Sequence, residues 1–121
     1  MDKPEIVWLI KKRKIKLLPT AYRHIYAGEL SMDCLWETLE EGIFLTREQL
    51  IRKLPQKVSS YAFPFYILHK LTKFIIYKKP VLLGFYVKKG TIRIGHFSSC
   101  SAEAKFYEQF KKESQNPSFK N

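Results

Sequence analysis

The stretch Pro80–Ser99, "PVLLGFYVKKGTIRIGHFSS", decides the fold of this chain. Two runs rich in aromatic and β-branched residues, Val81–Val87 and Thr91–Phe97, flank a short break, and "VKKGTI" reads as a tight turn joining antiparallel strands. Upstream, "YAFPFYILHK" (61–70) and "KFIIYKK" (73–79) have the same texture, interrupted by Pro and Lys. Residues 61–99 therefore predict three or four antiparallel strands.

On both sides of this block the apolar period changes to that of a helix. Asp2-Lys3-Pro4-Glu5 has the form of a helix start, and Ile6, Leu9 and Ile10 follow at helical spacing, predicting a first helix over 3–14 that ends in "KKRK". "IKLLP" predicts a short strand or extended link stopped by Pro19. Thr20 is expected to cap "AYRHIYAG", with Gly28 at its end. Ser31 is expected to cap a helix ended by Gly42, with Met32, Leu35, Trp36 and Leu39 inward and Asp33, Glu37, Glu40 and Glu41 in water. "TREQLIRKL" reads either as a helix with Leu50 and Leu54 inward or as part of a long loop. Ser101 is expected to cap a last helix with Phe106, Tyr107 and Phe110 buried. The result is an α+β domain over 1–113, with N-terminal helices packed on a small antiparallel sheet, a C-terminal helix, and a flexible tail over 114–121.

Charge narrows the function. The 121 residues carry a formal net charge of +11. Between Glu48 and Glu103 there is no acid, while Arg52, Lys53, Lys57, Lys70, Lys73, Lys78, Lys79, Lys88, Lys89 and Arg93 fall in that interval. A second acid-free interval, Glu5 to Glu29, holds Lys11, Lys12, Arg13, Lys14, Lys16 and Arg23. Lysine also protects strand edges, but edge protection alone does not require excluding every acid, so a polyanion partner is favoured. No apolar run is long enough for a membrane span and the N-terminus lacks the order of a secretory signal, so a cytoplasmic location is expected. Cys34 and Cys100 are expected to be reduced thiols.

The run "TAYRHIYAGELSMDCLWETLEEG" (20–42) first suggests a helix-turn-helix, but its second helix is acidic and would repel DNA phosphates. It resembles instead the opening of the MqsR-like group, relatives of the RelE-type messenger-RNA-cleaving toxins. There a phrase of the type HAxxRMxxRGIS is followed by xEDVxxxLENG and a small antiparallel sheet. "VLLGFYVKKGTIRIGHF" falls where that group has its final hairpin. Thr20 stands where the group tends to have His, and His24 stands one turn later at a position of Arg. The resemblance implies metal-independent endoribonuclease chemistry, active or degenerate, and an acidic protein partner of the antitoxin kind. RNA is expected before DNA.

Such chemistry needs a base, an acid and cations on an accessible surface. The candidates for catalysis are His69, His96 and Arg93, with His69 expected to be exposed beside a turn. Arg23, His24, Arg52, Lys53, Tyr66, Lys70, Lys73, Lys88 and Lys89 are the candidates for holding nucleic acid. Tyr61, Tyr66, Tyr77 and Tyr86 are the candidates for base stacking, whereas Trp36, Phe74, Phe85, Phe97, Phe106 and Phe110 are expected in the core. Strict alternation points Arg93 and His96 to opposite faces unless Gly95 marks a bulge. His24, Cys34, His69, His96 and Cys100 lack ligand spacing, so neither a metal nor another cofactor is expected. The competing readings are a nucleic-acid binder without catalysis and an inhibitor or interaction module for an acidic protein.

Overall fold

The computed structural model describes residues 2–54, 61–73, 79–100 and 103–114, excluding the side chains of 103, 106, 113 and 114. The expectations placed on Lys57, Phe74, Tyr77, Lys78, Ser101, most of "KFIIYKK", the Phe106 side chain and residues 115–121 lie outside them. The α+β expectation holds: five strands form one sheet in the order β1-β5-β4-β3-β2, antiparallel except for the β1–β5 pair.

Helix α1 runs Lys3–Lys11, with Asp2 accepting from the Glu5 amide. It ends three residues earlier than expected, because Lys14 N–H bonds to Leu9 O and Arg13 N–H to Ile10 O, the pattern of a Schellman cap. Arg13 occupies the left-handed position at φ 58 where glycine is usual, and its guanidinium lies 4.0 Å from the centre of the Trp36 ring. β1 (Ile15–Leu17) leads to α2 (Pro19–Tyr26). Here the expectation for Thr20 is corrected. Leu18 is the N-cap residue, and the Thr20 hydroxyl instead donates to Gly95 O at 2.7 Å, in β5.

α3 (Met32–Glu41) is capped by Ser31 as expected, but its buried face is turned. Cys34, Leu35, Glu37, Thr38 and Leu39 are buried, Trp36 is half-buried and Met32 is exposed. Gly42 ends the helix without a left-handed conformation. A Cβ there would lie 2.3 Å from Ile67 Cγ2 and 2.6 Å from Thr38 O, so close approach of α3 to the sheet requires glycine. β2 (Ile43–Thr46), which the apolar pattern did not separate from its neighbours, forms the far edge. "TREQLIRKL" resolves as helix α4, Arg47–Lys53, through a capping box between Thr46 and Gln49, with Leu50 and Leu54 buried.

β3 (Phe65–His69), β4 (Val81–Lys88) and β5 (Thr91–Ser99) make the centre. The β4–β5 turn has φ 52 at Lys89 and φ 68 at Gly90, the two positive angles of a type I′ hairpin. A 3₁₀ turn at Glu103–Phe106 leads into α5, Tyr107–Ser114.

Alternation along the strands produces two cores. Phe65, Ile67, Val81, Leu83, Phe85, Ile92, Ile94 and Phe97 join the α1–α3 side chains on one face. Leu45, Tyr66, Leu68 and Leu82 join Leu50, Leu54, Tyr107 and Phe110 of α4 and α5 on the other. Each fully buried Phe or Leu here contributes about 1.5–3 kcal/mol of apolar burial. Both cysteines are buried thiols, and neither is in a disulfide. Among the described residues no helix is long and apolar enough to cross a membrane.

Candidate nucleic-acid interface

The second face is packed by α4 and α5 over β2 and β3. Towards β5 and β1 its side chains are polar, and their placement depends on one irregularity. Phe85 pairs with Ile94 while Gly84 pairs with His96, so Gly95 is the extra residue of a β-bulge. The bulge shifts the alternation by one. Ile92, Ile94 and Phe97 all remain in the helix-side core, and His96 joins Arg93 on the second face. The condition under which the two could act together is met.

Gly95 is also held from its edge. β1 ends at Leu17, the Leu18 amide donates to Ile94 O at 2.9 Å, and the Thr20 hydroxyl caps Gly95 O. The first turn of α2 thus fixes the bulge. From the face itself, Phe63 lies over two neighbouring glycines. A Cβ on Gly95 would sit 2.2 Å from Phe63 Cζ, and one on Gly84 would sit 2.8 Å from Phe63 Cδ2. The Phe63 ring is parallel to Tyr86 within 5°, with centroids 6.5 Å apart.

Around this aromatic pair the register assembles the polar groups. Tyr86 and Lys16 both pair with Arg93, and Lys88 pairs with Thr91 beside the hairpin turn. Lys16 and Lys88 are exposed, and Tyr86, Arg93 and His96 are half-buried. His96 Nε2 lies 3.0 Å from Ser98 Oγ. Arg93 Nε is the one fully buried side-chain nitrogen without a hydrogen-bond partner among the described residues.

The other expected site residues do not converge here. His69 is corrected from exposed to buried, at 5% exposure, and it faces the helices rather than the Arg93 side. Its Nε2 lies 2.5 Å from Glu37 Oε2. The same oxygen accepts from the Thr72 amide at 2.8 Å, and Oε1 accepts from the Lys73 amide at 3.1 Å. Glu37, expected in water, is therefore a buried carboxylate in a cradle. Burial pushes its carboxyl upward, but the Thr72 amide, the His69 ring and the Lys73 amide outweigh that and hold it below its ordinary value. Tyr66 is corrected from a stacking surface to core, 1% exposed with its hydroxyl accepting from the Phe63 amide, and Tyr61 is likewise buried.

His24 is tied to Glu29 at 2.5 Å, and Arg23 is exposed on α2. Arg52 and Lys53 end α4, which packs on β2 and β3 rather than on β4, β5 or β1. Lys70 and Lys73 follow β3 at the end of the sheet where His69 pairs with Val81, opposite to the Lys88–Lys89 turn. Of the expected set, Arg93, His96, Lys88 and Lys89 share one region, joined by Lys16, Phe63, Tyr86 and Ser98. Gly84 and Gly95 inside strands of bulky residues were the available signal for a close-packed ring. Nothing local marked Lys16, which arrives through a pairing 77 residues distant in register, Lys16 with Arg93.

Compared with protein-family models, with curated proteins and with solved structures, the chain matches none.

Proposed function

We propose that this protein binds RNA on the β4–β5–β1 face and cleaves it without metal, in the manner of the RelE and MqsR type of toxin. The observation that carries the reading is the Gly95 bulge, which puts His96 on the same face as Arg93. A backbone phosphate seated there would meet Arg93, Lys16 and Lys88, and a neighbouring base would meet the Phe63–Tyr86 rings. His96 would take the proton of a ribose 2′-hydroxyl as its oxygen attacks phosphorus. The bond from phosphorus to the 5′-oxygen breaks, that oxygen takes a proton from solvent, and a 2′,3′-cyclic phosphate and a 5′-hydroxyl result. The guanidinium of Arg93 neutralises the charge that develops on phosphate.

One observation favours a binder without catalysis: His96 is the single histidine on this face among the described residues, and its Nε2 is shared with Ser98. Labelled single-stranded RNA separates the readings. Binding should weaken steeply with salt, and Arg93→Ala should reduce it roughly tenfold. Cleavage insensitive to chelator and abolished by His96→Ala supports the ribonuclease; binding with intact RNA supports the binder. Absence of binding at low salt overturns both and leaves the charge to an acidic protein partner.

A further inference from the structure

On the helix side of the sheet, at the end far from the hairpin, a different set of donors converges. Glu37 and Glu41 are one helical turn apart on α3, and His69 ends β3 beneath them. One carboxylate oxygen from each glutamate and a ring nitrogen of His69 lie within 4.8 Å of one another. Donors of one first-row ion, bound at about 2.0–2.2 Å, can be no more than about 4.4 Å apart, so small side-chain adjustments close the set. Glu41 and His69 line a cleft of about 350 Å³ between α3, β2 and α5, with Thr72 and Tyr107 also in its wall, and Glu37 is bonded to His69.

Two features go beyond a chance acidic cluster. Both oxygens of Glu37 are held in place by backbone amides, Oε2 by Thr72 and Oε1 by Lys73, so the carboxylate is oriented towards His69 in advance. His69 is nine-tenths buried in the cleft wall, with Nε2 set against Glu37 Oε2. An ion held by both would take the place of the proton that the carboxylate and the imidazole share. Glu41 is exposed and supplies the mobile oxygen at the entrance.

We propose that Glu37, Glu41 and His69 form a site for a divalent first-row transition ion of the zinc type. One nitrogen and carboxylate oxygens suit such ions better than calcium, which takes oxygen donors in greater number. Lys3, Lys70 and Lys111 line the same cleft, and their charge holds the affinity below that of a structural zinc centre. The site is separate from the β4–β5–β1 face and does not depend on RNA binding.

The test is thermal unfolding of the full chain at pH 7 with Zn²⁺, Mn²⁺ or Ca²⁺ after chelator treatment, alongside equilibrium dialysis. Zinc at saturation should raise Tm by roughly 5 °C and bind one ion per chain, with little effect of calcium. Glu41→Gln, at an exposed position that does not threaten folding, should abolish the zinc shift and the stoichiometric ion, while His96→Asn, on the other face, should retain both. No shift in the parent chain, or a shift unchanged in Glu41→Gln, overturns the proposal. A shift lost in His96→Asn but kept in Glu41→Gln assigns the ion to the other face and overturns it equally.

Discussion

Replacing Glu37 by Gln keeps the shape of the side chain and removes the charge around which His69, Thr72 and Lys73 are arranged. The carboxylate accepts three hydrogen bonds, from His69 Nε2 and the Thr72 amide on Oε2 and from the Lys73 amide on Oε1. Glutamine has one acceptor oxygen, so its NH₂ must face a donor: the Lys73 amide in one rotamer, or His69 and Thr72 in the other. Hydrogen bonds to a charged group are worth about 1.5–3 kcal/mol each, and removing one partner of a buried pair costs about 3–5 kcal/mol. The less damaging rotamer loses one such bond and weakens the other two. We expect a loss of about 3 kcal/mol at pH 7, or roughly 10 °C in Tm for a chain of this size.

The pH dependence makes the cause identifiable. Because the folded carboxyl titrates below its ordinary value of 4.5, the unfolded chain binds the proton first as pH falls. Glu37 therefore contributes its full stabilisation above pH 4.5 and loses it as pH drops through the lower folded value. Urea unfolding of parent and variant at several pH values should show a gap that is constant above 4.5 and narrows below it. A gap under 1 kcal/mol at neutral pH, or one equally wide in acid, would refute the buried-carboxylate reasoning.

Three further outcomes follow from local geometry. Gly95→Ala drives a methyl into Phe63 and should cost about 2 kcal/mol in urea unfolding, but much less in a Phe63→Ala background; additive losses would show that the ring is not what the glycine accommodates. At Arg13, left-handed strain opposes stacking on Trp36, so Arg13→Gly should change stability by less than about 0.5 kcal/mol while Arg13→Ala, which keeps the strain and loses the stacking, costs about 1 kcal/mol. Equal stability of the two variants by the same assay argues against that balance. Lys89→Asn suits the positive φ of the hairpin turn and should raise stability by about 0.5 kcal/mol, read as a higher midpoint in urea; a lower midpoint means the lysine has a role the backbone does not explain.

Much of this architecture was legible along the chain. The Ser31 cap, the β4–β5 hairpin and the α+β order depend on local chemistry: caps, turn residues and apolar period act over a few residues and are visible there. Whether "TREQLIRKL" was helix or loop depended on the reciprocal Thr46–Gln49 cap, a local signal present in the sequence that the ambiguous apolar pattern around it obscured. The alternation of "TIRIGHF" also stated its own condition, that a bulge at Gly95 would bring Arg93 and His96 together.

Tertiary structure decided the rest, because burial is a property of what packs against a residue. Glu37 stands in a row of acids on α3, and only the arrival of His69 and the Thr72 and Lys73 amides makes it interior. Tyr66 has the amphipathic chemistry of a stacking residue, and α4 and α5 cover it. Lys16 reaches Arg93 only because β1 pairs in parallel with the last strand, a contact between segments whose sequences contain no mark of each other. The sequence by itself determined the capped helices, the central hairpin and that the molecule is strongly basic; the fold determined which of its charges and rings share a face, since that follows from long-range register and from a single inserted glycine.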